Sequence, residues 1–158
     1  MENMGLKWTY ESEGFRLGDG LFYLPDFFLP ELSTPTWIEV KPSKPLSAEN
    51  KAKIDAFRKG LRPLQQQVFV LFGNPWPTEY EFDIEGTRWC RCPECGQIDV
   101  NIAGNEYFCY KCDDFILTTD YAVDLHPQII KAFTAARSAR FEHGEHGQDA
   151  CVCLHEVR

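Results

Sequence analysis

A chain of 158 residues has room for one domain, or for one compact domain with a small appendage. Its 44% apolar and 14% aromatic content supports a hydrophobic core, and it holds no run of about 18 apolar residues that would span a membrane. A net charge of −8 excludes a protein that coats nucleic acid by overall positive charge.

Lys7 to Tyr10 predicts a short first strand, and Gly14 to Gly20 a turn-rich connection. Leu21 to Leu29 is rich in aromatic and aliphatic residues and reads as a strand. Pro30 to Pro35 forms the turn into a second strand, Thr36-Trp37-Ile38 followed by Glu39-Val40-Lys41. Ser47 is placed to cap a helix, with Glu49 in its first turn and Gly60 just past its end. Ile54, Phe57 and Leu61, with Ala52 and Ala56, supply that helix with an apolar stripe. Val68 to Phe72 is a continuous apolar run, the pattern of a strand buried on both faces, and Gly73-Asn74-Pro75 ends it. The order predicts a mixed sheet with a right-handed helical crossover. Pro75, Pro77 and an acidic stretch to Gly86 mark a boundary. A cysteine module follows from Arg88 to Thr119, then a helix from Pro127 to about Phe141 with Gly144 as its stop.

Alternate side chains of a strand share a face, so Glu39 and Lys41 are expected to project together while Val40 points into the core. If the strands pair, Asp26 approaches that face. Two carboxylates and an ammonium converging there suit a divalent cation and a water to be activated. Hard carboxylate oxygens favour Mg²⁺ or Mn²⁺ over zinc. Asp26 and Glu39 would be the ligands, with the Val40 backbone carbonyl as a third, and Lys41 would orient or deprotonate the water. The plainer reading makes Asp26 a turn cap and Glu39–Lys41 a surface ion pair.

Pro25-Asp26 followed by Glu39-Val40-Lys41, a helix and a buried strand resembles the PD-(D/E)xK nuclease superfamily over Lys7 to Gly73. Tyr-Leu-Pro-Asp-Phe and Glu-Val-Lys are similar to those of small nuclease-like proteins of bacteria and their phages. The resemblance implies an αβββαβ core, DNA as substrate, and catalytic roles for Asp26, Glu39 and Lys41; with the chain's cysteine usage, the location expected is the cytoplasm of a bacterial or phage-infected cell. One departure is that few residues precede Trp8, where the superfamily has a helix that often bears another acidic residue. Glu11 and Glu13 fall in the first strand or its turn and are not assigned as its replacement.

Of seven cysteines, four form Cys92-Pro93-Glu94-Cys95 and Cys109-Tyr110-Lys111-Cys112, thirteen residues apart. An odd count with two Cys-x-x-Cys pairs favours a metal in a reducing compartment over disulfides. Each pair places two thiolates on one side of a turn, and two such turns complete a tetrahedral Cys₄ site for one structural Zn²⁺. Gly96 supplies the left-handed conformation such a turn needs, and Asp113 stands where many ribbons have a second glycine. The pattern resembles a zinc ribbon, with Ile98, Val100 and Ile102 as its strand and Cys90 as a spare thiol.

From Lys41 to Arg62 seven basic residues face only Glu49 and Asp55. Lys44, Lys51 and Lys53 are candidates for phosphate contact, as are Arg137 and Arg140, which share a face of the last helix. Solvated surface charge is the simpler account of both sets. Cys151, Cys153 and His155 lie in a polar tail and could make a second metal site.

The fold class expected is α/β (α+β). It comprises a PD-(D/E)xK-like mixed sheet with a crossover helix over 1–77, a zinc ribbon over 88–119, a helix over 124–144 and a tail over 145–158. Three functions stay open: a DNA endonuclease or resolvase-like phosphodiesterase, a nuclease-like module that grips DNA or a protein without cutting, and a phage-encoded inhibitor of a host protein.

Overall fold

The computed structural model describes residues 1, 4–73, 81–101, 106–117 and 127–136. Its elements are β1 (Thr9–Tyr10), β2 (Phe15–Arg16), β3 (Phe22–Tyr23), β4 (Phe27–Leu29), β5 (Thr36–Lys41), α1 (Ala48–Leu61), β6 (Gln67–Phe72), β7 (Glu81–Phe82), β8 (Arg88–Arg91), β9 (Ile98–Asn101), β10 (Glu106–Cys109), β11 (Asp114–Leu117) and α2 (Pro127–Ala136).

Five strands form one mixed sheet in the order β1-β4-β5-β6-β7. β4 and β5 pair antiparallel across the Pro30–Pro35 turn, with Phe27 opposite Ile38. β5 and β6 run parallel, Glu39 opposite Val70 and Lys41 opposite Phe72. Parallel neighbours cannot be joined by a tight turn, and α1 makes the crossover. Hairpins β2–β3, β8–β9 and β10–β11 complete the strands.

β6 is apolar throughout because both its faces are covered. Val68, Val70 and Phe72 join Trp37 and the α1 residues Ile54, Phe57 and Leu61 in one cluster. Phe69 belongs to the opposite layer with Phe27, Leu29, Ile38 and Phe82. The cysteine module supplies the rest of that second layer: Trp89, Cys90, Cys92, Ile98, Val100 and Cys109 are buried in the same cluster. A polar tie joins the two parts. Asp99 in β9 is buried, and its Oδ2 accepts from the Ser33 hydroxyl and from the Ser33 N–H at 3.1 Å.

The start of α1 follows its cap, since the Ser47 side chain accepts from the Asn50 N–H at 3.2 Å. Ser47→Ala is expected to cost about 0.5–2 kcal/mol of stability, measured as a lower midpoint in urea with an unchanged slope.

Four expectations need correction. Leu21–Leu29 is not one strand: it divides into β3 and β4, which lie in different sheets, with Pro25-Asp26 as the step between them. Gly14–Gly20 is not only a turn, because it contains β2. Gly60 lies inside α1, and the helical run ends after a 3-10 turn at Gln65, whose φ of +54° supplies the left-handed break. Val40 is 39% exposed and does not enter the core; the buried side chain at this end of β5 is Glu39. Ile102, Pro75, Pro77, the helix beyond Ala136 and the tail over 145–158 lie outside the described residues.

Candidate functional site

Asp26 stands at the step between β3 and β4, fixed from both sides. Pro25 before it is fully buried, and its own Oδ2 accepts from the Val40 N–H at 2.6 Å. The Asp26 carbonyl accepts from the Glu11 N–H at 2.8 Å. β5 meanwhile brings Glu39 onto the face that packs against α1, in line with buried Trp37 and half-buried Lys41.

Glu39 is only 4% exposed. Its Oε1 pairs with the Lys41 ammonium, while Oε2 is buried without a hydrogen-bond partner. The Tyr23 hydroxyl stands against this carboxylate, short of good hydrogen-bond geometry. Burial raises the Tyr23 pKa first, and the charges of Glu39 and then Asp26 raise it further. Tyr10 is pushed up to about 12 by burial, by a hydrogen bond to the Glu11 side chain, and by the charges of Glu11, Asp26 and Glu39. Both tyrosines therefore remain neutral donors at any physiological pH.

Burial, then repulsion from Glu39, lifts Asp26 to about 6, against the opposing pull of the Val40 N–H and Lys41. Glu11 adds a smaller repulsion. A carboxyl with a folded pKa above its unfolded one binds protons more tightly when folded, so stability falls as pH rises from about 4 to 6. Asp26→Asn is therefore expected to stabilise the metal-free chain at pH 7, on the order of 1–2 kcal/mol because the group keeps some contact with water. Thermal melts at pH 7 and pH 4 check this, and the gain should vanish at the lower pH. Protons also compete with any cation for Asp26, so metal affinity should rise with pH through about 6.

Glu39 and Lys41 lie on β5 as expected, whereas Asp26 lies at the step before β4 and not within a strand; the structure brings the three to one end of the sheet. Val40 joins them through its N–H. Tyr10 and Tyr23 have no role in the sequence reading, and Glu11 is named there without one. Tyr23, three residues before Asp26 in Tyr-Leu-Pro-Asp, was the one with a signal in the motif itself.

The second candidate centre is the cysteine set. The Sγ atoms of Cys92, Cys95, Cys109 and Cys112 all lie within 4.8 Å of one another. Cys92–Cys112 and Cys95–Cys109 are 3.7 and 3.5 Å apart. A tetrahedron with metal–sulfur bonds of about 2.3 Å has edges of about 3.8 Å, so the set fits a tetrathiolate ion such as zinc. Among the described residues this is the group of three or more His, Cys, Asp or Glu close enough to share an ion. The turns have the backbone such a site needs: Gly96 has φ +74° and its N–H reaches the Cys92 carbonyl at 2.9 Å, and Asp113 has φ +56°. Burial opposes the Cys95 thiolate, yet the Gln97 N–H and the neighbouring thiols bring it down to about 7. Cys112 is raised, first by its contact with Cys95, and Cys109 by burial. Four crowded sulfurs resist common ionisation unless a cation joins them.

The proposed phosphate-binding residues are less uniform. Lys44 pairs with Glu81 at 2.7 Å and lies 5.2 Å from the Phe72 ring centroid. Lys53 pairs with Glu49 at 2.7 Å, one helical turn away. Lys51 is exposed on α1. Exposed pairs of this kind are worth about 0–1 kcal/mol and exchange readily for a phosphate. Arg137, Arg140, Cys151, Cys153 and His155 lie outside the described residues. No helix among the described residues is long and apolar enough to cross a membrane.

No family model, curated protein or solved structure matches this chain.

Proposed function

We propose that the chain is a Mg²⁺- or Mn²⁺-dependent DNA nuclease of the PD-(D/E)xK type, held in shape by one zinc ion in its cysteine module. The observation that carries this reading is the buried Glu39 carboxylate. One of its oxygens has no hydrogen-bond partner, and it lies beside an Asp26 whose ionisation its own charge opposes. A buried anion with unmet bonding capacity beside a second anion is costly. A divalent ion removes that cost and, when bound, neutralises a phosphate and lowers the pKa of a water.

Asp26 and Glu39 would hold the ion, with the Val40 carbonyl available as a third oxygen. Mg²⁺ commonly binds through one or two carboxylates and retains several waters, so a pair suffices. The Val40 N–H fixes Asp26. Lys41, paired with Glu39 in this structure, would turn to orient the attacking water and to stabilise charge on the phosphate.

A binding module that grips DNA or a protein without cutting is favoured by a different observation: Lys41 already pairs with Glu39 and occupies one of the carboxylate oxygens a cation would use. Incubation of plasmid, single-stranded and branched DNA with Mg²⁺ or Mn²⁺ separates the readings. Metal-dependent cutting that Glu39→Gln removes supports the nuclease; no cutting of any substrate supports the binding module.

A further inference from the structure

The β2–β3 hairpin has one face fixed and one face offered to solvent. On the fixed face, the Phe15 ring is 4.6 Å from Phe57 and 5.1 Å from Trp37, and the Tyr23 ring is 5.0 Å from Phe57. On the other face, Arg16 and Phe22 are cross-strand partners, the guanidinium 5.2 Å from the ring centroid. Phe22 is 64% exposed, and Leu21 and Leu24 are exposed beside it in sequence. The hairpin leads directly into the acidic pocket. Tyr23 meets Glu39, Leu24 is two residues before Asp26, and exposed Val40 binds Asp26 through its N–H.

We infer that this face is a binding site for unpaired bases of a DNA strand, with the Phe22 ring stacked on a base and the Arg16 guanidinium on an adjoining phosphate. The inference rests on the nuclease reading, which supplies the strand. With a cation in the Asp26–Glu39 pocket to take one phosphate, Arg16 offers a charge to an adjoining phosphate, next to an exposed ring that a base can cover. Bases inside a duplex are stacked on one another and offer no free π-face, whereas every unpaired base does. Because Phe15 and Tyr23 anchor the hairpin, the ring is presented without an ordering cost at binding.

Fluorescence anisotropy of a labelled oligo(dT) and of the same strand in a duplex tests the site. The full Glu39→Gln chain is used in Mg²⁺, so that no strand is cut. The single strand should bind more tightly than the duplex. Added Phe22→Ala should weaken that binding by about fivefold or more, and Phe22→Trp should preserve it. Arg16→Ala should lower the salt dependence by about 0.7 in log–log slope, the value for one phosphate contact on a single strand. All three side-chain changes are at exposed positions, and an unchanged melting curve confirms the fold. Unchanged binding by Phe22→Ala, equal affinity for duplex, or a Phe22-dependent dimer that binds no DNA would overturn the inference. Phe22-dependent binding by a wild-type chain that cuts nothing would overturn the nuclease reading alone. Metal-dependent cutting with binding indifferent to Phe22 would overturn this inference alone.

Discussion

Cys92→Ser is expected to lose the zinc and to lower the melting temperature of the whole chain, not of the cysteine module alone. Cys92 is fully buried, and it shares one apolar cluster with Leu29, Ile38 and Phe69 of the main sheet. Structural zinc contributes apparent binding energies of about 10–16 kcal/mol, comparable to or above the total stability of about 5–15 kcal/mol typical of a native domain. Loss of one thiolate therefore removes more than a single packed side chain would. Cys90→Ser is the control: Cys90 is equally buried in that cluster but outside the four-sulfur set. It should cost only about 1–3 kcal/mol and keep one zinc per chain. Metal content by mass spectrometry and near-ultraviolet circular dichroism melts distinguish the two variants. Equal metal content in both would contradict the assignment.

The second large effect concerns chemistry. Glu39→Gln should reduce metal-dependent DNA cleavage on the order of 10²–10³-fold or more, as for removal of a preorganised electrostatic group. Glutamine keeps the shape of a side chain that is 4% exposed, so the fold should survive. Lys41→Met should reduce cleavage on the order of 10²–10⁴-fold while leaving a cation able to bind. Lys41 occupies one oxygen of Glu39 in the structure, so removing it should tighten metal binding even as activity falls. That opposition between affinity and rate is not expected of a residue that only supports the fold.

Local patterns were legible wherever one physical cause dominated. The Val68–Phe72 run is buried on both faces, as its lack of alternation implies, and the cysteine spacing led to a set of four close sulfurs. Ser47 caps its helix as its position suggested. What failed depended on contacts distant in sequence. Leu21–Leu29 is rich in strand-forming residues, but Pro25 has no N–H for a ladder and the Asp26 carboxylate takes the Val40 N–H. The run divides there, and the division is what aims Asp26 into the pocket. Val40 was assigned to the core because alternation predicts opposite faces, not which face is covered; at this end of β5 the covered face is the one towards α1. Glu11 falls in the turn after β1, one of the two places expected for it, and its N–H meets the Asp26 carbonyl, a contact the sequence does not signal. Asp99 between Ile98 and Val100 gave no hint of its partner, since Ser33 lies 66 residues earlier.

Asp26 and Glu39 are proposed to hold a divalent cation. Titration calorimetry of Mn²⁺ into the zinc-loaded chain tests it most directly, with Asp26→Asn and Glu39→Gln alongside at pH 7 and pH 5. One Mn²⁺ site is expected in the wild-type chain, weaker at pH 5 than at pH 7 and lost in both variants. Wild-type binding that neither variant alters, or no binding at either pH, would contradict it.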